Sequence, residues 1–141
     1  MNINKVDHNY SVSGQIGEAD IATLAGMGFK TLICNRPDAE VESALHAQFM
    51  AAEAERCGLT FVYNPISNAG MTMDNLETQA TALDTATGPV FAYCRSGMRS
   101  TVCWSFLNAK RLPADEIIAS AAGAGYQIDN LRPQIEALAG A

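Results

Sequence analysis

A cysteine, a Ser-Gly turn and two arginines stand together between an apolar run and a helix-like segment. The apolar run is 90–93, and it leads directly into Cys94, Arg95, Ser96, Gly97, Met98, Arg99 and Ser100. A strand that turns through a short loop into a helix directs backbone N–H groups at one spot, where negative charge is stabilised. The same field favours thiolate over thiol, and a thiolate is a nucleophile. The segment therefore predicts an enzyme that uses Cys94 as its nucleophile.

The other residues of this segment predict a loop that binds an anion. Gly97 can adopt a left-handed backbone, which lets the chain curl round the anion. Arg99 can reach the same anion with a planar guanidinium group, and Arg95 can either do likewise or face solvent. Ser100 can donate its hydroxyl to the Cys94 thiolate or cap the following helix. We therefore assign Cys94 and Arg99 to catalysis and assign anion binding to Arg95, Ser96, Gly97, Met98 and Ser100.

Short apolar segments alternate with longer amphipathic ones along the chain. The predicted strands are 10–12, 30–35, 59–62 and 90–93, and the predicted helices are 17–26, 40–56, 73–85, 100–110, 113–122 and 131–138. This alternation predicts an α/β fold of three layers, in which a mostly parallel sheet of four to five strands lies between helices on both faces. The length of 141 residues fits one domain, 1–141, with a loose N-terminal segment at 1–9.

Ligands of such sheets bind at the carboxyl ends of the strands, where loops from several strands meet. Three of these loops carry polar side chains: Arg36 with Asp38, then Asn64 with Ser67 and Asn68, and finally Cys94. We expect the three loops to line one pocket. Arg36 either faces the substrate, braces the loop, or forms an ion pair with Asp38 or Glu40, and these alternatives stay open.

Composition and charge limit the partners. The net charge is -6, with nine Lys and Arg against fifteen Asp and Glu, which argues against nucleic acid or an anionic membrane as a partner. The four cysteines form no CxxC pair and there are only two histidines, so we expect neither a metal nor another cofactor. We find no apolar stretch of membrane-spanning length and no signal-peptide core, and we expect a reducing cytoplasm. The oligomeric state stays open.

The spacing of the loop bears on its substrate. The segment from Cys94 to Arg99 resembles the loop of rhodanese sulfurtransferases, Cys-Arg-x-Gly-x-Arg, at every specified position. Protein-tyrosine and dual-specificity phosphatases have a similar loop with five residues between the cysteine and the arginine, whereas this chain has four. The resemblance implies that the shorter loop surrounds a persulfide sulfur, and the longer form accepts a tetrahedral oxyanion. Loop length therefore favours sulfur.

The rest of the chain has a wider resemblance. The segments VSGQIGEADIATLAGMGFKTLICNRPDAE, GLTFVYNPI and GPVFAYCRSGMRST contain the specific motifs SGQ, NRPDxE and YCRSGxRS. They resemble the phosphatase-like domain of beta-lactamase-hydrolase-like proteins, a family for which sulfur transfer is also described as a candidate activity. The resemblance covers nearly the whole chain. It implies a fold like that of protein-tyrosine and dual-specificity phosphatases, carrying a rhodanese-like loop.

A phosphatase needs a general acid to protonate the leaving oxygen. In dual-specificity phosphatases this acid is an Asp in the loop after a strand that ends in an Ile-Pro-like segment. The matching stretch here, 64–70, contains no carboxylate. Asp74 is the nearest candidate, although a place in the first turn of a helix explains it equally well. Asp38 and Glu40 are the other candidates, and sulfur transfer needs no such acid.

The sequence thus leads to three hypotheses. The first is a sulfurtransferase that forms a Cys94 persulfide from thiosulfate or a persulfide donor and passes the sulfur to a thiol acceptor. The alternative is a phosphatase that cleaves a phosphate ester through a Cys94 phosphocysteine, with Asp74 or Asp38 as the acid. The third is a catalytically silent module that senses an anion or a persulfide through Cys94.

Overall fold

Short apolar stretches of the chain form a single five-stranded sheet in the order β1-β2-β5-β3-β4. The computed structural model describes all residues, 1–141. The strands are β1 (Asn4–Lys5), β2 (Tyr10–Ser13), β3 (Thr31–Cys34), β4 (Thr60–Tyr63) and β5 (Val90–Tyr93). Strand β1 pairs antiparallel with β2, and every other pairing is parallel.

The central strand β5 sets the position of the loops. Its last residue, Tyr93, pairs with Ser13 at the end of β2 and with Cys34 at the end of β3. The loops after these strands therefore leave the same edge of the sheet at the same level. All four residues of β5 are buried, as expected for a parallel strand covered on both faces.

Six α-helices cover the two faces of the sheet. They are α1 (Glu18–Gly26), α2 (Ala47–Arg56), α3 (Met73–Thr85), α4 (Met98–Leu107), α5 (Ala114–Gly123) and α6 (Arg132–Ala139). None of them combines the length and the apolar character that crossing a membrane would require.

Two separate apolar clusters confirm the three-layer α/β architecture. Helices α1 and α2 pack their apolar side chains with Leu32 and Phe91 on one face of the sheet. Helices α3 to α6 contribute to a larger cluster that contains Ile33 and Ala92 on the other face. Adjacent residues of β3 and β5 thus enter opposite clusters, as the two-residue period of a strand requires.

The predicted helix over 40–56 is wrong over its first seven residues, 40–46. Helix α2 begins only at Ala47, and two short 3-10 turns, Asp38–Glu40 and Ser43–Leu45, precede it. Between them Val41 is extended, with φ −132° and ψ 160°. The Asp38 carboxylate accepts a hydrogen bond from the Ala47 N–H at 2.8 Å, so it satisfies an N–H group at the start of α2 from outside the helix.

The prediction of a loose segment at 1–9 is also wrong. Strand β1 pairs with β2, and Val6 is buried in the larger apolar cluster. Asp7 accepts a hydrogen bond from the Trp104 indole N–H at 2.9 Å. These partners lie far away in the sequence, so the polar composition of the segment alone gave no sign of them.

A buried polar network lies at the carboxyl end of the sheet. The Asn35 amide group donates to Gln79 Oε1 at 2.9 Å, and the Gln79 amide group donates to the Tyr10 hydroxyl at 3.0 Å. Asn64 donates to the same Gln79 oxygen at 2.8 Å, and Ser100 donates to Asn35 Oδ1 at 2.9 Å. Tyr10 belongs to β2, Asn35 and Asn64 follow β3 and β4, and Gln79 and Ser100 belong to α3 and α4. The network therefore connects three strands with two helices.

Candidate active site

Cys94 lies where β5 ends, at the start of the loop that leads into α4. Its N–H donates to the Ser13 carbonyl at 3.3 Å, which continues the pairing of β5 with β2. Its side chain is buried, and the sulfur accepts a hydrogen bond from the Gly97 N–H at 3.1 Å. Gly97 has φ 96° and is the N-cap of α4, so the sulfur faces the positive end of this helix.

The outer side of the loop packs against other elements. The Tyr126 hydroxyl donates to the Ser96 carbonyl at 2.8 Å. A Cβ added to Gly14 would lie 2.8 Å from the Arg95 carbonyl oxygen, so the end of β2 touches the loop backbone directly. The side chains of Arg95, Ser96 and Met98 are exposed on the other side.

Arg99 joins three loops. Its Nη2 lies 2.6 Å from Glu40 Oε1, and its Nη1 lies 3.0 Å from Glu40 Oε2. Nη1 also donates to the Ile66 carbonyl at 2.5 Å. The loops after β3 and β4 therefore meet the Cys94 loop at this guanidinium group. The hydrogen bond with Arg99 lowers the pKa of Glu40, and the same bond raises the pKa of Arg99.

Arg36 braces the same carboxylate. Its Nε lies 3.3 Å from Glu40 Oε1, and its Nη2 donates to the Glu40 carbonyl at 3.1 Å. Its Nη1 donates to Gln15 Oε1 at 3.3 Å. Of the alternatives left open for Arg36, the structure therefore contains the ion pair with Glu40 and the bracing contacts.

The two candidate acids differ in their surroundings. The Asp38 carboxylate caps α2, and the Asp38 N–H donates to the Tyr63 hydroxyl at 2.9 Å. Asp74 is exposed in the first turn of α3, where no hydrogen bond or ion pair engages its side chain.

Ser100 and Asn64 do not face the loop as predicted. Ser100 is fully buried and donates to Asn35, so the predicted hydrogen bond from Ser100 to Cys94 is absent. It lies within α4, on the side that packs against the polar network, and Gly97 rather than Ser100 caps this helix. Asn64 is buried in the same network, and its amide group donates to the Asn75 carbonyl at 2.9 Å, which ties the end of β4 to the first turn of α3.

Three residues at the site were missed or misread in the sequence. The sequence names Glu40 as a candidate acid and as a partner of Arg36, but not as the partner of Arg99. Its place in the NRPDxE motif is the one signal for this pairing. Tyr126 and Asn4 had no local signal, because they meet the loop and each other only through the fold.

Two other cysteines are held as thiols by burial, and one cavity lies away from the site. Burial raises the pKa of Cys34 and raises the pKa of Cys103 to about 12, which leaves both thiols unreactive. A cavity of about 700 Å³ is lined by Tyr10, Val90 and Arg111. Tyr10 and Val90 begin their strands, so this cavity opens at the end of the sheet opposite to Cys94.

Comparison with known proteins identifies relatives over most of the chain. A family model described as "Beta-lactamase hydrolase-like protein, phosphatase-like domain" matches residues 2–111. The Beta-lactamase hydrolase-like protein of Xylella fastidiosa is 25% identical over 130 residues, which are 91% of this chain and 30% of that protein. The Agrobacterium fabrum protein of the same name is 28% identical over 96 residues, which are 68% of this chain and 22% of that protein. The chain thus spans less than a third of these relatives.

Solved structures share the fold. A candidate phosphatase from Neisseria meningitidis has a TM-score of 0.84 and 36% identity, and the match covers 98% of this chain and 99% of that one. The kinase associated phosphatase, solved with its catalytic cysteine replaced by serine, has a TM-score of 0.72 and 15% identity, with 94% and 88% covered. A PP-IP phosphatase from S. cerevisiae has a TM-score of 0.70 and 16% identity, with 96% and 84% covered. The latter two show the fold alone.

The prediction of a sulfurtransferase is wrong, and with it the sulfur donor and the thiol acceptor. The family is described as phosphatase-like and the Neisseria meningitidis protein as a candidate phosphatase, so the hydrolase alternative is better supported. The prediction rested on the four residues between Cys94 and Arg99 and on the lack of a carboxylate in 64–70. Loop length does not decide between the two classes, because the shorter loop also places a backbone N–H, that of Gly97, on the sulfur.

The packing of Tyr126 predicts that Gly97 tolerates no side chain. A Cβ at Gly97 would lie 2.0 Å from the Tyr126 hydroxyl, whereas nothing lies within 4 Å of a Cβ at Gly28, whose φ is 99°. We expect Gly28→Ala to lower the free energy of unfolding by about 1–2 kcal/mol through its backbone alone. Gly97→Ala should cost about 1–3 kcal/mol more. Urea unfolding measures both, and equal losses would contradict the packing argument.

The Arg99–Glu40 pair predicts a pH-dependent contribution to stability. Because the pKa of Glu40 is held below its ordinary value of 4.5, the contribution is complete above that value and is lost as the pH falls through the lowered pKa. We expect Glu40→Gln to be less stable than the natural chain at neutral pH, with the difference shrinking on acidification. Thermal melts across the acid range measure it, with the exposed Glu55→Gln as control. A constant difference would contradict the assignment.

Proposed function

Because the chain belongs to the family of phosphatase-like domains of beta-lactamase hydrolase-like proteins, we propose that it hydrolyses phosphate monoesters through a Cys94 phosphocysteine. The observation that carries this proposal is the Gly97 N–H, 3.1 Å from the Cys94 sulfur at the start of α4. A helix N-terminus that stabilises a thiolate also receives the oxygens of a phosphoryl group.

The proposed reaction has two steps. In the first, the Cys94 thiolate attacks phosphorus, the bond from phosphorus to the ester oxygen breaks, and that oxygen leaves with a proton from a general acid. In the second, water attacks the phosphocysteine, inorganic phosphate forms, and the thiolate leaves. The loop N–H groups and Arg99 stabilise the charge on the phosphoryl oxygens in both steps.

Arg99 can bind the phosphoryl group without releasing Glu40. The two Glu40 oxygens and the Ile66 carbonyl use both protons of Nη1 and one proton of Nη2. The Nε–H and the second Nη2–H remain, and they lie along one edge of the planar group. This edge suits two oxygens of a phosphate in bidentate fashion. Glu40 therefore orients the guanidinium group while the substrate binds its free edge.

We assign the general acid to Asp74. Glu40 is held by Arg99 and Arg36, and Asp38 caps α2, so neither carboxylate is free to move a proton. Asp74 is unpaired and exposed, and it follows the β4–α3 loop whose Ile66 carbonyl contacts Arg99. It thus begins the helix next to the loop that borders the site.

Replacement of the nucleophile and of the arginine tests the proposal. We expect Cys94→Ser to abolish hydrolysis of p-nitrophenyl phosphate, and Arg99→Lys to lower kcat/KM by about 10²–10³-fold, because a lysine cannot donate two parallel hydrogen bonds. Partly buried Cys57, outside the site, gives the control Cys57→Ser. Mass spectrometry of quenched enzyme should detect one phosphoryl group on Cys94. Phosphate release that survives in Cys94→Ser would refute the proposal.

The acid assignment predicts a dependence on the leaving group. Asp74→Asn should lower kcat strongly for an alkyl phosphate, whose oxygen leaves poorly without a proton, and only weakly for p-nitrophenyl phosphate. Asp84→Asn is the matched control, because Asp84 lies in the last turns of the same helix, beside the cavity at the opposite end of the sheet. Equal losses for both substrates would exclude Asp74 as the acid.

A further inference from the structure

The peptide group between Ser96 and Gly97 is held at both ends. Its carbonyl oxygen accepts the Tyr126 hydroxyl at 2.8 Å, and its N–H donates to the Cys94 sulfur at 3.1 Å. In a planar trans peptide the carbonyl and the N–H point in opposite directions. Fixing the carbonyl on one side therefore fixes the N–H on the other.

The Tyr126 hydroxyl has a defined direction. Asn4 Nδ2 donates to the hydroxyl oxygen at 3.0 Å, so the hydroxyl proton is free to point at Ser96. Both side chains stand on anchored backbone. Asn4 belongs to β1 and pairs with Val12, and the Tyr126 N–H donates to the Ala121 carbonyl at 2.9 Å.

Gly97 makes such an anchor necessary. A peptide that precedes glycine rotates easily, because no Cβ restricts the backbone on its far side. The alternative orientation would turn the Ser96 carbonyl toward the sulfur and repel a thiolate. The close approach of the Tyr126 hydroxyl, 2.0 Å from where a Cβ of Gly97 would lie, occupies the space that a side chain would otherwise use to restrict this backbone.

We propose that Tyr126, oriented by Asn4, is a positioning residue for the Cys94 nucleophile: it holds the Ser96 carbonyl away from the sulfur and so keeps the Gly97 N–H on it. The inference deepens the proposed function and rests on Cys94 being the nucleophile. Burial raises the pKa of Tyr126, and the nearby Cys94 raises it further, so the hydroxyl remains a donor at neutral pH.

The thiol itself is the direct readout. We expect Tyr126→Phe to slow alkylation of Cys94 by iodoacetamide at neutral pH by about tenfold, the effect of one hydrogen bond to a charged group. The ultraviolet thiolate absorbance that Cys94→Ser removes should fall in parallel. Peptide mass analysis assigns the alkylated cysteine. Tyr93→Phe is the matched control, because it removes a buried tyrosine hydroxyl that makes no hydrogen bond to the Ser96–Gly97 peptide.

A double-mutant cycle separates the anchor from a general effect on structure or charge. Asn4→Asp keeps the shape of the side chain but replaces the donor by an acceptor, which takes the hydroxyl proton from Ser96. We expect Asn4→Asp to slow alkylation in the natural background and to have no effect when Tyr126→Phe is present. If Asn4→Asp slows alkylation equally in both backgrounds, the added charge acts through space. This result would contradict a role of Asn4 in orienting the Tyr126 hydroxyl.

Two further results decide the proposal. If Tyr126→Phe is folded and its Cys94 is alkylated at the rate of the natural chain, the proposal is overturned. Thermal melts establish whether this variant is folded. If that variant does not fold, Asn4→Asp is compared with Asn4→Ala in the natural background at high salt, which screens the added charge. A larger loss for Asp that persists at high salt supports the anchor, and a larger loss for Ala, or one for Asp that salt removes, contradicts it. Alkylation needs no phosphatase activity. Failure of the anchor is therefore distinct from hydrolysis that survives in Cys94→Ser, which refutes the proposed function.

Discussion

The ion pair between Arg99 and Glu40 is the interaction on which the arrangement of the site depends. Three loops leave the carboxyl edge of the sheet, and the backbone hydrogen bonds of the strands do not reach their tips. The Arg99 guanidinium group ties these tips together through Glu40 and the Ile66 carbonyl. Arg36 contacts the same carboxylate, so two guanidinium groups share one carboxylate and leave one positive charge. A chain with a net charge of -6 thus builds a cationic site locally.

Beneath this ion pair, the end of the sheet is polar. Asn35, Asn64, Gln79 and Ser100 are buried there, and their amide and hydroxyl groups bond one another and the Tyr10 hydroxyl. Polar groups buried in a satisfied network hold a defined geometry, whereas apolar side chains tolerate small shifts. The network joins the first turn of α4 to β3. It therefore fixes the helix whose N-terminus faces Cys94.

Features that depend on neighbours in the chain could be predicted from the sequence. The succession of β5, Cys94, Gly97 and α4 is local, and the apolar period with the glycine at the turn indicates it directly. The alternation of strands and helices indicates a parallel sheet for the same reason. The start of α2 could not be predicted, because the extended residues before it depend on the Asp38 carboxylate reaching Ala47.

Side-chain pairs between residues that are distant in the sequence could not be predicted. Glu40 and Arg99 are 59 positions apart, and Asn4 and Tyr126 are 122 apart, so no periodicity connects them. Loop length likewise did not identify the substrate class, which the family comparison corrects. The residues between Cys94 and Arg99 can be counted, but the direction of the Ser96–Gly97 peptide depends on a tyrosine beyond α5.

The contact of Tyr126 with Ser96 also orders events during synthesis of the chain. Ribosomes release the chain from its N-terminus, so β1, the sheet strands and Cys94 all emerge before Tyr126 does. Until α5 and Tyr126, which lies three residues beyond it, are made, the Ser96 carbonyl cannot accept this hydrogen bond. A nascent chain therefore carries Cys94 in a loop whose Ser96 carbonyl lacks this hydrogen bond until Tyr126 has been added.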